Sequence, residues 1–445
     1  MMFPIKRRKF LQTAAAGGAV TLTKSPLVFA QNGDTPAALG GAPVRKKPFQ
    51  SWPMIKDIDE KNWEKVLHDK GWCRLPNGYV VEFEKAWAEM NGVQDCVACA
   101  NGTNSLFTSL NALGIGPGDE VLVPPYTFVA TVNVVLLCHA IPVFVDTDRE
   151  TFQMDARKIE AAITEKTRCI IPVHLGGNVA DMDQILAVAK KHNLAVIEDA
   201  CQSHLAEWKG KKVGSLGDTG CFSFQVTKNL SSGEGGAVIS NNIELMDRVF
   251  SFHTNGRERR NQQTFGYLHN GTNVRLTEFQ GALLLAQMTR LPEQADIRSR
   301  NGETLTRYLQ EIPGIHPAKE YEGTTKNAYH LYMFRYDPEQ FAGLSRNQFI
   351  AALQKEGIPC SSGYSPLDEQ PFLKDALYSR GFEAIYGKER IDEYFKQKNL
   401  PENKQLCSEA VWFYQYMLLG EEKDMEQIAT AIRKISRHAS QLAKA

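Results

Sequence analysis

Surplus charge, a long apolar run and an ordered set of cysteines are all missing from this 445-residue chain. Lys plus Arg and Asp plus Glu number 51 each, so the formal charge is zero. That balance argues against the basic stripe by which a protein holds nucleic acid or an anionic membrane. No apolar stretch reaches the roughly 20 residues that a membrane-spanning helix needs. Nine cysteines, an odd number, make no spaced disulfide framework in a chain of this size. Cys96 and Cys99 form a C-x-x-C, but they sit in 93–100, which reads as a buried strand. Residues three apart on a strand point to opposite faces, so the two cannot share a metal. The histidines do not cluster, and neither H-E-x-x-H nor G-x-S-x-G occurs, which removes two common hydrolase signatures. The glycines at 114, 116 and 118 resemble a dinucleotide loop. They follow a helical pattern and enter a strand, the reverse of the required order, and Pro117 stands where close helix packing is needed.

What charge there is lies unevenly. Lys6, Arg7, Arg8, Lys9 and Lys24 are the charged residues of the first 30, leaving 46 basic against 51 acidic residues, or −5, in the remainder. Arg7-Arg8-Lys9-Phe10-Leu11, a weakly apolar Ala/Gly-rich stretch from Thr13 to Leu22, and Val28-Phe29-Ala30 follow the order of a twin-arginine signal with its cleavage end. Lys6 stands where that signal often has Ser or Thr. The segment 1–30 is therefore expected to direct export to the periplasm, by a route that moves folded proteins.

Residues 31–54, rich in Gly and Pro, are expected to form an extended arm. From 93 to 241, strand and helix patterns alternate. Strands are expected at 93–100, 120–123, 141–145, 169–173, 195–198, 221–224 and 236–240, with helices near 103–113, 128–138, 156–164 and 182–191. Such alternation predicts an α/β fold with a mostly parallel seven-stranded sheet between helices. Ligands in these sheets bind at the carboxyl ends of the strands. Residues 55–290 are expected to form this large domain. The remainder, 291–445, should be a smaller α/β domain, reached through a long amphipathic region at 276–309 and closed by a helix at 423–442.

The most informative stretch is Phe222-Ser223-Phe224-Gln225-Val226-Thr227-Lys228, followed by Gly233-Glu234-Gly235-Gly236. An apolar strand runs into one lysine, and a glycine-rich turn follows. Burial disfavours an ammonium and leaves a usable amine, which is what a Schiff base with a carbonyl cofactor requires. Pyridoxal 5'-phosphate (PLP) is the candidate. Asp199 closes an expected strand, where a carboxylate can keep a pyridine nitrogen protonated so that the ring acts as an electron sink. Gln202 stands three residues on. Gly102 and Thr103 open a helix after a strand, a natural phosphate seat, and Ser223 can add a hydroxyl. Phe128 can stack on a flat ring. Each of these has an ordinary structural alternative: a capping acid, a good helix start, a core ring. His174, Arg257, Arg275 and His330 lie where substrate contact and structural roles are equally open.

Together these segments resemble the DegT/DnrJ/StrS family of PLP-dependent sugar aminotransferases, of fold type I, over nearly all of the chain after the signal. The resemblance rests on 114–119 with 124–129, Glu198-Asp199-Ala200-Cys201-Gln202, the Lys228 segment, and Gly271-Thr272-Asn273-Val274-Arg275. It implies that Lys228 is the Schiff-base lysine and proton carrier, that Asp199 pairs with the pyridine nitrogen, and that Gln202 meets the ring oxygen. It further implies that Phe128 stacks on the ring, and that Gly102, Thr103, Asn104 and Ser223 hold the phosphate. Asn273 would reach the phosphate of a partner subunit, which implies a homodimer with shared active sites. The implied reaction moves an amino group from glutamate or glutamine to a keto-sugar or keto-cyclitol. Relatives that dehydrate sugars replace the lysine with histidine, so Lys228 favours transamination. A sugar dehydratase or isomerase, and a non-catalytic ligand-binding protein of the same fold, are the alternatives.

Overall fold

The computed structural model describes residues 34–259, 266–396 and 399–445. The signal expected at 1–30 lies outside them. Seven strands build the large sheet: β1 (Asp95–Cys99), β2 (Glu120–Val123), β3 (Ile141–Phe144), β4 (Thr167–Ile170), β5 (Ala195–Asp199), β6 (Thr219–Ser223) and β7 (Gly236–Ser240). Their order is β1-β7-β6-β5-β4-β2-β3. The run β6-β5-β4-β2-β3 is parallel throughout. Only β7 opposes its neighbours, β1 and β6. The reason is local: β6 returns to β7 through the loop that carries Lys228, without a crossover helix, and such a return forces antiparallel pairing.

Along each strand, alternate side chains enter different cores. Cys96, Ala98, Leu122, Ile170, Val196, Phe222 and Ile239 face one; Val97, Cys99, Val121, Ile171, Ile197, Cys221 and Val238 face the other. Cys96 and Cys99 are therefore on opposite sides of β1, and no cysteine of the chain is in a disulfide. Among the described residues, eight α-helices precede the second sheet: α1 (Asp57–Asp69), α2 (Tyr79–Asn91), α3 (Gly102–Ala112), α4 (Ala130–Leu137), α5 (Met182–His192), α6 (Ile243–His253), α7 (Glu278–Met288) and α8 (Leu291–Gln310). Val80, Phe83 and Trp87 of α2 and Met182 and Ile185 of α5 pack on the first face. Leu106 and Leu110 of α3, Val132 and Val135 of α4, and Val249 and Phe250 of α6 pack on the second. Both faces are thus covered, as a parallel sheet requires.

The smaller sheet comprises β8 (Ile315–Pro317), β9 (Leu331–Tyr336) and β10 (Ala410–Tyr414), antiparallel in that order. Tyr332, Phe334, Val411 and Phe413 point into a core shared with Leu305, Phe349, Ile428 and Ile432. The alternate residues Leu331, Met333, Ala410 and Trp412 meet Tyr126, Phe152, Val173 and Leu175, which lie in the segments leaving the large sheet. This contact places the smaller sheet over the carboxyl ends of the parallel strands, and the cleft between them is the candidate site.

Several expectations are refined. Residues 156–164 form two 3-10 turns, Ala156–Lys158 and Glu160–Ala162, and no α-helix. The region 276–309 is two helices, because Pro292 cannot continue α7 but suits the first turn of α8. The last helix ends at Arg437, and Ala439–Leu442 follows as a separate turn. The arm is held as a strap. The Glu356 carboxylate accepts from the backbone N–H groups of Ala37 and Val44 at 2.7 and 2.8 Å, while Arg45 pairs with Asp424. The C-terminal part is also less separate than a plain division at 291 implies. Leu367, Leu373, Phe382, Ile391 and Tyr394 all join the core of the large sheet.

Candidate active site

Lys228 lies in the loop between β6 and β7, half-buried on the wall of a cleft of about 890 Å³. Its backbone N–H donates to the Gln225 carbonyl, and the loop is pinned by Val226 N–H to Gly233 O. Burial pushes the Lys228 ammonium below the ordinary lysine range, while the Cys201 thiol and the Asp199 carboxylate pull the other way. Among the described residues no side-chain hydrogen bond holds the amine. The neighbouring histidines stay neutral. Desolvation takes His204 down to about 3 and His330 well below its usual value, and the Lys228 charge adds to both shifts.

Asp199 ends β5 and is buried. Its Oδ2 accepts from Thr131 Oγ1 at 2.9 Å, and its Oδ1 accepts from the Cys201 backbone N–H at 3.2 Å. Thr131 lies in the first turn of α4 and also meets Thr127 Oγ1 at 3.1 Å. Gln202 is equally fixed: its Oε1 accepts from Gly176 N–H at 2.8 Å and its Nε2 donates to Tyr364 Oη at 3.1 Å. Phe128 precedes α4 by two residues and is 55% exposed within the cleft lining, unusual for a large apolar side chain.

At the start of α3, Asn101 accepts the Asn104 N–H on its Oδ1 at 2.9 Å and the Ser105 N–H on its backbone oxygen at 3.1 Å. The N–H groups of Gly102 and Thr103 are left for a ligand, as at any capped helix start. A Cβ on Gly102 would fall 2.7 Å from Ser223 Cβ and 2.8 Å from Cys201 Sγ. Only glycine lets the helix start press against the ends of β5 and β6. A phosphate suits this cradle, and the chemistry of Phe128, Asp199 and Gln202, which line the same cleft, suits a flat heterocycle.

Seven of the nine residues expected from sequence line this one cleft: Gly102, Thr103, Phe128, Asp199, Gln202, Ser223 and Lys228. Asn104 does not, and its N–H is consumed by the cap. Asn273 is exposed and away from the lining, bridged to Thr254. His330 lines the cleft with its Nδ1 3.2 Å from Asn229 Oδ1. His174 is fully buried behind β5, where its Nε2 donates to Glu198 Oε2 at 3.0 Å and its Nδ1 accepts from Ala180 N–H. It holds structure and does not reach the cleft. Arg257 and Arg275 are also absent from the lining. Sequence reading missed Thr131, Trp52, Tyr364, Trp412, Tyr414 and Gln415. Thr131 carried a signal, since it follows Phe128 at helical spacing; the others come from distant segments and had none.

A lysine loop, a buried strand-end carboxylate and a glycine-opened helix on this sheet define a fold type I transferase of the aminotransferase kind. The model of the DegT/DnrJ/EryC1/StrS aminotransferase family matches residues 54–433, and the chain belongs to that family. It is similar to the L-glutamine:2-deoxy-scyllo-inosose aminotransferase of Streptoalloteichus tenebrarius, 37% identical over 417 residues that cover 90% of this chain and 97% of that one. The protein of the same name from Streptomyces paromomycinus is 36% identical, covering 91% and 98%. Among solved structures, 3-amino-5-hydroxybenzoic acid synthase superposes with a TM-score of 0.79 at 30% identity, covering 88% and 100%. The aminotransferase from Psychrobacter cryohalolentis gives 0.77 at 32% identity, covering 86% and 98%.

Proposed function

We propose that this aminotransferase uses PLP on Lys228 to move an amino group from glutamine or glutamate to a keto-cyclitol or keto-sugar. The observation that carries the reading is the placement of a half-buried lysine amine, lowered by desolvation, in the same cleft as Asp199 and the Gly102 cradle. The names of the inosose aminotransferases support the donor and the class of acceptor. PLP supplies an electron sink that stabilises negative charge at the donor Cα. Gly102, Thr103 and Ser223 would hold its phosphate, Asp199 its ring nitrogen and Gln202 its ring oxygen, with Phe128 against its face. Lys228, once displaced by a donor, is the base that moves the Cα proton, and a lowered pKa suits that task near neutral pH. Thr131 and the Cys201 N–H keep the Asp199 carboxylate oriented. The test is the visible spectrum of the purified protein on addition of glutamine. Loss of the lysine-bound cofactor band with release of a 2-oxo acid is expected. A coloured protein inert to every amino donor would refute transfer.

The active unit proposed is a homodimer in which Asn273 reaches the partner's phosphate. Support comes from the exposed apolar side chains of Ile55, Trp63, Leu67 and Trp72, of which the two tryptophans ring Phe279, side chains of the kind that protein–protein contacts cover. A monomeric mass in solution would contradict it. Export through Arg7 and Arg8 completes the proposal. A reporter fused to the first 40 residues and requiring folded transport should stay in the cytoplasm when both arginines become lysine; unchanged secretion would count against it.

A further inference from the structure

Arg298, on α8, is fully buried, and among the described residues no carboxylate pairs with it. Its guanidinium lies 5.2 Å over the ring of Trp52, and its Nε and Nη2 both donate to Gln415 Oε1, at 3.0 and 2.6 Å. Trp52 and Gln415 line the cleft, so the cation sits directly behind its wall. A guanidinium has donors only, so the amide oxygen of Gln415 must face it and the Nε2 end must turn away. That Nε2 is buried and finds no acceptor among the described residues, and neither does Arg298 Nη1. A buried charge and two orphaned donors are costly unless a ligand answers them. The described lining of the cleft offers no other fixed positive charge. Lys228 is its one cation, and the proposed chemistry needs that amine neutral or bonded, beside the acids Asp199 and Glu234.

We propose that Gln415, locked by Arg298, reads the α-carboxylate of the amino donor: the amide N–H₂ is the direct contact, and the guanidinium is the countercharge behind it. The inference rests on the aminotransferase reading above. Arg298 is a positioning residue, since it acts through Gln415, and the pair sets which donors saturate the enzyme. The PLP phosphate is not the anion concerned, because its cradle is built from α3 and β6 of the large sheet, whereas Gln415 follows β10 of the smaller one.

The experiment compares L-glutamine with its α-carboxamide analogue, which keeps the reacting amine and lacks the anion. In Gln415→Glu the new carboxylate pairs with Arg298, which removes the donor and cancels the charge while keeping the buried cation partnered. Gln415→Leu is the second variant. We expect the cofactor band and the acceptor KM to match wild type. The ratio of kcat/KM for glutamine over the carboxamide should fall about 10- to 100-fold in both variants, borne by the glutamine KM. A wholly structural role would lower Tm and leave that ratio alone. An unchanged ratio in folded, cofactor-loaded variants overturns the proposal, as would a wild type that uses both donors equally. A wild-type protein without the cofactor band would instead defeat the reading on which this one rests.

Discussion

Gly102→Ala isolates the cradle at the start of α3 from the rest of the cleft. The added methyl would sit 2.7 Å from Ser223 Cβ, 2.8 Å from Cys201 Sγ and 3.2 Å from Ser223 Oγ, where carbon atoms normally keep about 3.5–4.0 Å. The nearer contact cannot swing aside, and Cys201 Sγ is itself engaged with the Cys221 carbonyl at 3.6 Å. Ser223 Cβ is fixed by the backbone of β6, and Cys201 follows the end of β5, its N–H bonded to Asp199. The helix start must retreat by ~1 Å, the shortfall from ordinary contact. Overpacking of this kind costs about 1–3 kcal/mol. It falls on the N–H groups of Gly102 and Thr103, so the loss should appear in cofactor affinity. At about 1.4 kcal/mol per decade, the Kd for PLP should rise roughly 5- to 150-fold. Titration of the apoprotein with PLP, followed by absorbance, measures it, and a thermal melt of the apoprotein confirms folding. A folded Gly102→Ala protein that binds PLP as tightly as wild type would refute the cradle.

Two further changes test the surroundings. Thr131→Val keeps the volume but removes the hydroxyl that donates to Asp199 Oδ2 at 2.9 Å. A hydrogen bond to a charged group is worth about 1.5–3 kcal/mol, so turnover should drop about tenfold or more, and wild-type kcat would show that Asp199 needs no such support. Stability should fall in mild acid. His204 and His253 are buried and held at about 3 by desolvation, against 6.5 in the unfolded chain. Their folded pKa values are depressed, so stability is full above pH 6.5 and is lost as pH falls from there towards 3, because only the unfolded state takes up the protons. At about pH 5 the loss is on the order of 2 kcal/mol for each. Urea unfolding at about pH 8 and pH 5 measures it, and equal stability at both would contradict the neutral burial of these rings.

Much of the sheet was legible because its strands are buried on both faces and read as short apolar runs between turns. The residues around Lys228, Asp199 and Gly102 were legible for a related reason. Each ends a strand or opens a helix, and a parallel sheet gathers such ends at one edge. What failed was what depends on partners far away in sequence. The helical pattern at 156–164 broke into two 3-10 turns. The anchorage of the arm is invisible in its own sequence, since Glu356, more than 300 residues on, accepts its N–H groups. The packing of the stretch from Leu367 to Tyr394 is a like case. The ring of Tyr394 is buried and its Oη donates to the Pro142 carbonyl, though the residue comes from a stretch assigned to the other domain. The same limit applies to Gln415 and Arg298, 117 residues apart, whose pairing no local pattern announces.

Borohydride reduction of the protein loaded with PLP, followed by peptide mapping, addresses the central claim. The account predicts a single stable pyridoxyl adduct on Lys228, abolished in Lys228→Ala. An adduct on another lysine, or none in a folded protein given excess PLP, would contradict it.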